Sequence, residues 1–163
     1  MKISKKIQDA LNGQINKELY SAYVYMSMAA NFEQESLTGF SHWMRVQAKE
    51  ELGHAMKIYQ FILDRDGIIE LEQISKPNGK WNSPAHIIET AYKHEQSVTQ
   101  SIHNIIKIAE AEHDKATDVF LHWFVDEQVE EEANASELLD RVKLAKTGEG
   151  LLILDKQLSE RKD

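Results

Sequence analysis

Four long segments of this sequence carry apolar residues at alternating steps of three and four, and this spacing is the strongest constraint on its fold. Such steps place side chains along one stripe of a helix, and that stripe is buried when helices pack together. Only 7 glycines and 2 prolines occur among the 163 residues, and the stretch from Ala85 to Thr147 contains neither. The pattern predicts an all-α fold in which four long helices form a bundle.

We predict these helices over residues 4–33, 37–65, 84–111 and 115–145. At 1.5 Å per residue each helix would be roughly 45 Å long, so each could run the length of the bundle. The four stripes contain, in chain order, Ile7, Leu11, Gln14, Glu18, Ala22, Tyr25, Ala29 and Phe32; Phe40, Met44, Gln47, Glu51, His54, Ile58 and Phe61; Ile88, Ala91, Glu95, Val98, Ile102, Ile105 and Ala109; and Thr117, Leu121, Phe124, Gln128, Glu131, Ala135, Leu138 and Val142.

The connection between the second and third helices is long and contains a turn signature. Residues 68–82 include Pro77-Asn78-Gly79, which a helix would not tolerate. A connection of this length suits a crossover that runs along the bundle. Ser83-Pro84 then offers a capping hydroxyl and a proline at the first helical position, and Asp114 offers a cap for the fourth helix.

The last part of the chain contains a short apolar run, Leu151-Leu152-Ile153-Leu154, followed by Leu158. We predict a fifth helix here, over about residues 149–160. A helix this short is not stable alone, so its apolar surface needs a partner. With this helix included, we expect residues 1–163 to form a single domain.

Composition excludes several classes of function. The formal net charge is −8, from 27 acidic and 19 basic residues, whereas nucleic acids and anionic membranes are bound by basic surfaces. The chain has no cysteine, so any metal must be held by oxygen and nitrogen atoms. No apolar run of 18 residues and no signal-peptide pattern occurs, so we expect a soluble cytoplasmic protein.

Each of the four apolar stripes is interrupted near its middle by groups that can bind a metal. Because each lies well inside its helix, assembly of the bundle would bring all of them into one layer. Burying several carboxylates together is costly unless a positive charge compensates, and no Lys or Arg lies at these positions. The sequence therefore predicts a metal centre for iron or manganese, for which zinc could compete. The interrupting residues are Glu18, Tyr25, Glu51, His54, Glu95, Gln128 and Glu131.

Single members of this set are weak signals. Glu51 and His54 form a Glu-x-x-His pair on one helix face, but Glu110 and His113 form the same pair off the stripe, where we predict a surface position. A lone histidine or glutamate on a stripe is more often a satisfied core residue than a ligand. A metal-free bundle that acts as an interaction module therefore remains the alternative, and only the four coinciding interruptions argue against it.

Several segments of the sequence resemble the ferritin family, specifically the non-haem ferritins of prokaryotes. The resemblance covers essentially the whole chain, including the crossover and the short last helix. The matching segments are Asn16-Lys17-Glu18-Leu19-Tyr20-Ser21-Ala22-Tyr23, the block from Phe40 through His54-Ala55, His94-Glu95, and Glu127-Gln128-Val129-Glu130-Glu131.

The resemblance implies a ferritin-like four-helix bundle with a di-iron centre in each subunit. By this resemblance Glu18, Glu51 and His54 hold the first iron, while Glu51, Glu95 and Glu131 hold the second. Glu51 would then bridge the two ions.

The resemblance also assigns residues around this pair. Gln128 is expected beside the two irons, and Tyr25 is expected to hydrogen-bond to the centre and is a candidate one-electron donor. An additional iron site would be formed by Glu50, Glu127 and Glu130, with Glu131 shared.

The function implied by the resemblance is iron storage with ferroxidase activity. Such a protein oxidises Fe(II) with dioxygen or hydrogen peroxide and deposits a ferric oxide mineral inside a hollow cage of 24 subunits. The short fifth helices would pack around a four-fold axis of the cage. Asp118 matches an acidic position of the three-fold channel in animal ferritins, but Leu121 stands where a second carboxylate would be expected.

Two related classes of protein fit less well, and no haem is expected. A bacterioferritin would need a second Glu-x-x-His pair in the fourth helix and a haem-binding methionine at the position of Leu52. A rubrerythrin-type peroxidase would need a cysteine-bound iron domain, which a chain without cysteine cannot supply.

Overall fold

The computed structural model describes residues 1–162 and contains five helices. No strand occurs among these residues, so the predicted all-α class is confirmed, and the predicted bounds agree within two residues. The helices are α1 (Lys5–Gln34), α2 (Thr38–Asp64), α3 (Pro84–Ala111), α4 (Lys115–Leu144) and α5 (Gly148–Leu158).

Side-chain caps mark where α3 and α4 begin. The Ser83 hydroxyl accepts a hydrogen bond from the His86 amide, and Pro84 occupies the first turn of α3. The Asp114 carboxylate accepts from the Thr117 amide at the start of α4. Both predicted caps are confirmed, and each satisfies a backbone donor that the helix itself leaves unpaired.

The four long helices pack as two pairs, α1 with α2 and α3 with α4, and α1 also contacts α3. Between them lie two apolar clusters. One includes Phe32, Phe40 and Leu138, and the other includes Leu11, Ile58 and Phe124. The polar interruptions of the stripes lie between these clusters in sequence on every helix, so an apolar core stabilises the polar layer from both sides.

One stripe position is shifted by a residue. Phe61 was predicted on the inner stripe of α2, but it is only half-buried, and Ile62 is fully buried instead. The Phe61 ring stacks on Phe120, with ring centroids 3.8 Å apart. The inner stripe of α2 therefore steps from Ile58 to Ile62.

The predicted crossover lies along α1 and is held there by side-chain amides. Asn12 donates to the carbonyl of Ile68 at 2.9 Å and accepts from the amide of Glu70 at 3.2 Å. One turn further on, Asn16 donates to the carbonyl of Gln73 at 3.2 Å. These bonds satisfy backbone groups of a segment that has no helical hydrogen bonds of its own.

The fifth helix docks onto the beginning of α2. The Asp155 carboxylate accepts from the amides of Gly39 and Phe40, at 2.8 and 2.9 Å, and so caps α2 from outside. Gly39 is required by this close approach, since a Cβ atom there would lie 1.7 Å from the Asp155 carbonyl oxygen. The position of α5 is thus fixed by backbone contact.

The apolar surface of α5 is divided between two directions. Leu154 and Leu158 are buried against the bundle of their own chain, whereas Leu152 and Ile153 are 60% and 63% exposed. The fifth helix is confirmed, and its own bundle buries part of its apolar surface, while Leu152 and Ile153 stay exposed. Among residues 1–162, no helix is long and apolar enough to cross a membrane.

Candidate metal centre

The seven interrupting side chains of the four stripes are all buried at mid-bundle. α1 contributes two of them, α2 two, α3 one and α4 two. None is more than 7% exposed, although four are glutamates, one is a histidine and one is a glutamine, and only the seventh is an aromatic tyrosine. They are Glu18, Tyr25, Glu51, His54, Glu95, Gln128 and Glu131.

Two groups of these side chains are close enough to hold a metal ion. Glu18, Glu51 and His54 each offer one ligand atom within 4.8 Å of the other two, and His54, Glu127 and Glu131 form a second such group. Nδ1 of His54 lies 3.5 Å from Oε2 of Glu51. The imidazole thus lies where ligands from α1, α2 and α4 meet.

Neutral amides hold two of the carboxylates. Gln14 donates to Oε1 of Glu18 at 2.7 Å, and Gln47 donates to Oε2 of Glu131 at 2.8 Å. Both glutamines are buried, and each precedes a glutamate of its own helix by four residues. Both lie on the predicted stripes, but their hydrogen bonds to the carboxylates were not predicted from the sequence. The four-residue step could have indicated the bond from Gln14 to Glu18, but no such step connects Gln47 with Glu131 of α4.

The carboxylate of Glu95 has donors on both oxygens. The Tyr25 hydroxyl donates to Oε1, and the Gln128 amide donates to Oε2 at 3.2 Å. These donors are also neutral, so they orient the carboxylate without cancelling its charge.

Burial raises the pKa of several carboxyl groups in this layer. The pKa of Glu51 lies well above its usual range because of burial and then the charges of Glu18 and Glu95. Burial and the charge of Glu95 raise the pKa of Glu131 to about 7, although the hydrogen bond from Gln47 opposes the shift. Burial likewise raises the pKa of Glu95 to about 6. A cation entering the layer would therefore displace protons near neutral pH.

The donor set fits an oxygen-seeking divalent metal. Oε2 of Glu18 and Oε2 of Glu51 are buried without a hydrogen-bond partner among the described residues. A buried, unpaired carboxylate oxygen is costly unless a cation binds it. Carboxylates with one imidazole suit iron or manganese, and also zinc. The residues present therefore fit the metal that the sequence predicted.

The acidic residues beside the centre are arranged unequally. Glu127 is half-buried and shares a candidate group with His54 and Glu131, whereas Glu130 is exposed on the same helix. Glu50 lies near enough for its charge to raise the pKa of Glu131.

Glu50 is also paired with a cation from the end of the chain. Nη2 of Arg161 lies 2.7 Å from Oε2 of Glu50, and the guanidinium packs over the Trp43 ring. Sequence reasoning missed Arg161, because a single arginine beyond the last predicted helix carries no signal of its partner. The second Glu-x-x-His pair, Glu110 and His113, is exposed as predicted.

The fold and this layer together define a four-helix bundle protein with a buried centre of carboxylate and imidazole ligands. Residues 8–145 match the ferritin-like domain family. The chain belongs to the ferritin family.

Relatives with named functions are similar over nearly the whole chain. A bacterial non-heme ferritin of Bacteroides fragilis is 42% identical, covering 98% of this chain and 99% of the relative. One of Staphylococcus aureus is 38% identical, covering 98% and 96%. An open-pore ferritin of the archaeon Archaeoglobus fulgidus has 48% sequence identity and a TM-score of 0.97, covering 98% of this chain and 99% of the other. Family and fold both support a role in iron storage.

Proposed function

We propose that this chain is a ferroxidase subunit of an iron store, which oxidises Fe(II) at a di-iron centre inside its own bundle. The observation that carries the proposal is the buried layer to which all four helices contribute ligands, with carboxylate oxygens left unpaired. In this proposal Glu18, Glu51 and His54 bind one iron. Glu51, Glu95 and Glu131 bind the other.

The chemistry requires two electrons from two metal ions. Two Fe(II) ions each give up one electron, and dioxygen takes up both electrons with two protons to become hydrogen peroxide. With hydrogen peroxide as oxidant, the same electrons and two protons yield two water molecules. Carboxylate ligands favour the harder Fe(III) product, and the protein supplies position and electrostatics. Gln128 and Tyr25 would orient Glu95, and Tyr25 could also supply a further electron.

A third iron site is proposed beside this pair, as a station for iron in transit. Glu127 and the shared Glu131 are close to His54, while Glu50 is half-buried in an ion pair with Arg161 and Glu130 is exposed. If the oxidation pair and the transit site are separate, Glu130→Ala keeps the first rapid oxidation of two irons but alters the iron-to-oxygen ratio and slows recovery of the centre. Loss of that first oxidation would contradict the separation of the transit site from the oxidation pair.

The proposal places the oxidised iron in a hollow cage of 24 subunits in the cytoplasm, stored as ferric oxide. The exposed Leu152 and Ile153 of α5 support contact between subunits, because apolar side chains of this size favour a partner. The three-fold route for iron has less support: Asp118 is paired with Lys115, and Leu121 is buried in the bundle core.

No haem is part of the proposal. The position of Leu52, which is 49% exposed, has no sulfur ligand to offer. A stoichiometric haem band in the visible spectrum of the purified protein would contradict this.

The test is aerobic addition of Fe(II), followed by the absorbance of ferric species. Glu51→Ala and His54→Ala should abolish rapid oxidation and leave the helices folded, because each removes a ligand and Glu51→Ala also relieves buried charge. The matched control is His113→Ala, which alters the surface Glu-x-x-His pair and should oxidise iron like the wild type. Wild-type rates in the Glu51 and His54 variants would favour a metal-free role for the bundle.

A further inference from the structure

A line of three hydrogen bonds connects an exposed ammonium group to the most buried carboxylate of the centre. Lys17 donates to the Ser101 hydroxyl at 2.5 Å, Ser101 donates to Oε1 of Gln14 at 2.6 Å, and Gln14 donates to Oε1 of Glu18 at 2.7 Å. Ser101 is on α3 and the other three residues are on α1. Apart from Lys17, every member is buried.

The chemistry of the groups fixes the direction of this line. A lysine ammonium can only donate, so the Ser101 oxygen accepts from Lys17 and its hydroxyl proton is free to bond to Gln14. An ionised carboxylate can only accept, so the Gln14 amide turns its NH₂ group to Glu18 and its oxygen to the Ser101 hydroxyl. If the amide were flipped, its carbonyl oxygen would face the carboxylate and repel it. The acceptor-only Glu18 carboxylate therefore sets the direction of the line, and Lys17 bonds to the Ser101 oxygen at the exposed end.

The consequence for Glu18 is that its two oxygens differ. Oε1 is occupied by Gln14, whereas Oε2 is buried without a hydrogen-bond partner among residues 1–162. The Glu18 carboxylate lies close enough to Glu51 and His54 for the three side chains to bind one metal ion. One oxygen is thus anchored, and the other is left for the metal.

We propose that Gln14, Ser101 and Lys17 are positioning residues that orient the Glu18 carboxylate for the first metal before the metal arrives. This inference rests on the proposed di-iron centre and identifies residues that set the affinity of its first site for Fe(II). Removing a group that hydrogen-bonds to a metal ligand commonly lowers metal affinity by about 10- to 100-fold. Gln14 has the largest expected effect because it touches the ligand directly.

The experiment is anaerobic titration of the assembled, metal-free protein with Fe(II) by calorimetry. Gln14→Leu should weaken the first binding event about 10- to 100-fold. Ser101→Ala should weaken it by about two- to tenfold, the effect of one ordinary hydrogen bond. Ser101→Thr keeps the hydroxyl and should retain the affinity.

The matched control is Gln8→Leu, the same exchange two turns earlier on α1. Gln8 accepts a hydrogen bond from the Ile68 amide in the crossover, so its loss should lower thermal stability without changing Fe(II) affinity. On α3 the control is Ser97→Ala, since the Ser97 hydroxyl donates to a backbone carbonyl at an exposed position.

A double variant separates positioning from general packing. In a Gln14→Leu background, Ser101→Ala should have no further effect on Fe(II) affinity, because Ser101 acts through Gln14. Additive losses would overturn the inference. If Gln14→Leu does not assemble, Lys17→Met, at the exposed end, provides the test, and unchanged affinity there would likewise overturn it.

The same titration distinguishes failure of the inference from failure of the proposed function. If Glu18→Ala binds Fe(II) as tightly as the wild type, the di-iron centre is wrongly placed. If Glu18→Ala loses the first binding event but Gln14→Leu keeps it, the centre stands and the positioning role is wrong.

Discussion

Replacing Glu131 with glutamine should stabilise the metal-free protein, and by an amount that depends on pH. Burial and the charge of Glu95 raise the pKa of Glu131 to about 7 from an ordinary value of 4.5. Glu131→Gln removes the charge but keeps an oxygen that can accept the hydrogen bond from Gln47. The substitution therefore isolates the cost of the buried charge.

The magnitude and its sign follow from the two pKa values. In the unfolded chain the carboxyl group ionises near pH 4.5, whereas in the folded chain it stays protonated up to about pH 7. Ionisation therefore favours the unfolded state, and this penalty grows as the pH rises from 4.5 to 7. Above pH 7 it reaches about 3 kcal/mol, at roughly 1.4 kcal/mol per pH unit. Near pH 5 it is below about 1 kcal/mol.

Thermal unfolding of the metal-free protein by circular dichroism measures this difference. For a domain of this size about 3 kcal/mol corresponds to a rise in Tm of roughly 6–12 °C at pH 8. At pH 5 we expect a rise smaller than about 4 °C. Glu137→Gln, at an exposed position of the same helix, should change Tm little at either pH.

Two results would refute this reasoning. One is an equal gain at both pH values, which would show that packing and not charge is responsible. The other is loss of stability at pH 8. With a divalent metal added, the wild type should have the higher Tm. Metal binding stabilises its folded state by mass action, whereas Glu131→Gln lacks one of the ligands.

Three further predictions concern neighbouring features. Tyr25→Phe removes a hydrogen bond that lowers the pKa of Glu95. When the pH falls from 8 to 6, the metal affinity measured by calorimetric titration should therefore decrease more in the variant than in the wild type. Arg161→Ala frees the Glu50 carboxylate from its ion pair, so a weaker additional metal site should gain about two- to tenfold in affinity in the same titration; unchanged weak binding would exclude Glu50 from that site. Deleting residues 149–163 removes the α5 docking contacts, so cages should dissociate or lose mineral, as size-exclusion chromatography and iron retention would show; intact, filled cages would mean that α5 serves its own bundle alone.

The helices could be predicted because their signals are local. An apolar step of three and four, a capping Ser83 and a capping Asp114 each act within one or two turns. The one shifted position, Phe61 in place of Ile62, arose because both residues are apolar and adjacent. In the structure Phe61 stacks on Phe120 at the edge of the core, whereas Ile62 is fully buried.

The candidate site was predictable only as a layer. Periodicity shows that Glu18 and Glu95 face inward, but it does not show which side chain from another helix lies opposite. The bond between Ser101 and Gln14 joins residues 87 apart in sequence. Lys17 lies off its stripe, so no periodic pattern connects it with the centre.

The most direct test of the central claim is anomalous X-ray diffraction at the iron edge from crystals of the assembled protein, loaded with Fe(II) without oxygen. We expect two iron ions within each bundle. One should be bound by Glu18, Glu51 and His54, and the other by Glu51, Glu95 and Glu131. Iron found only on exposed acidic residues, with none between the four helices, would contradict the proposed ferroxidase centre.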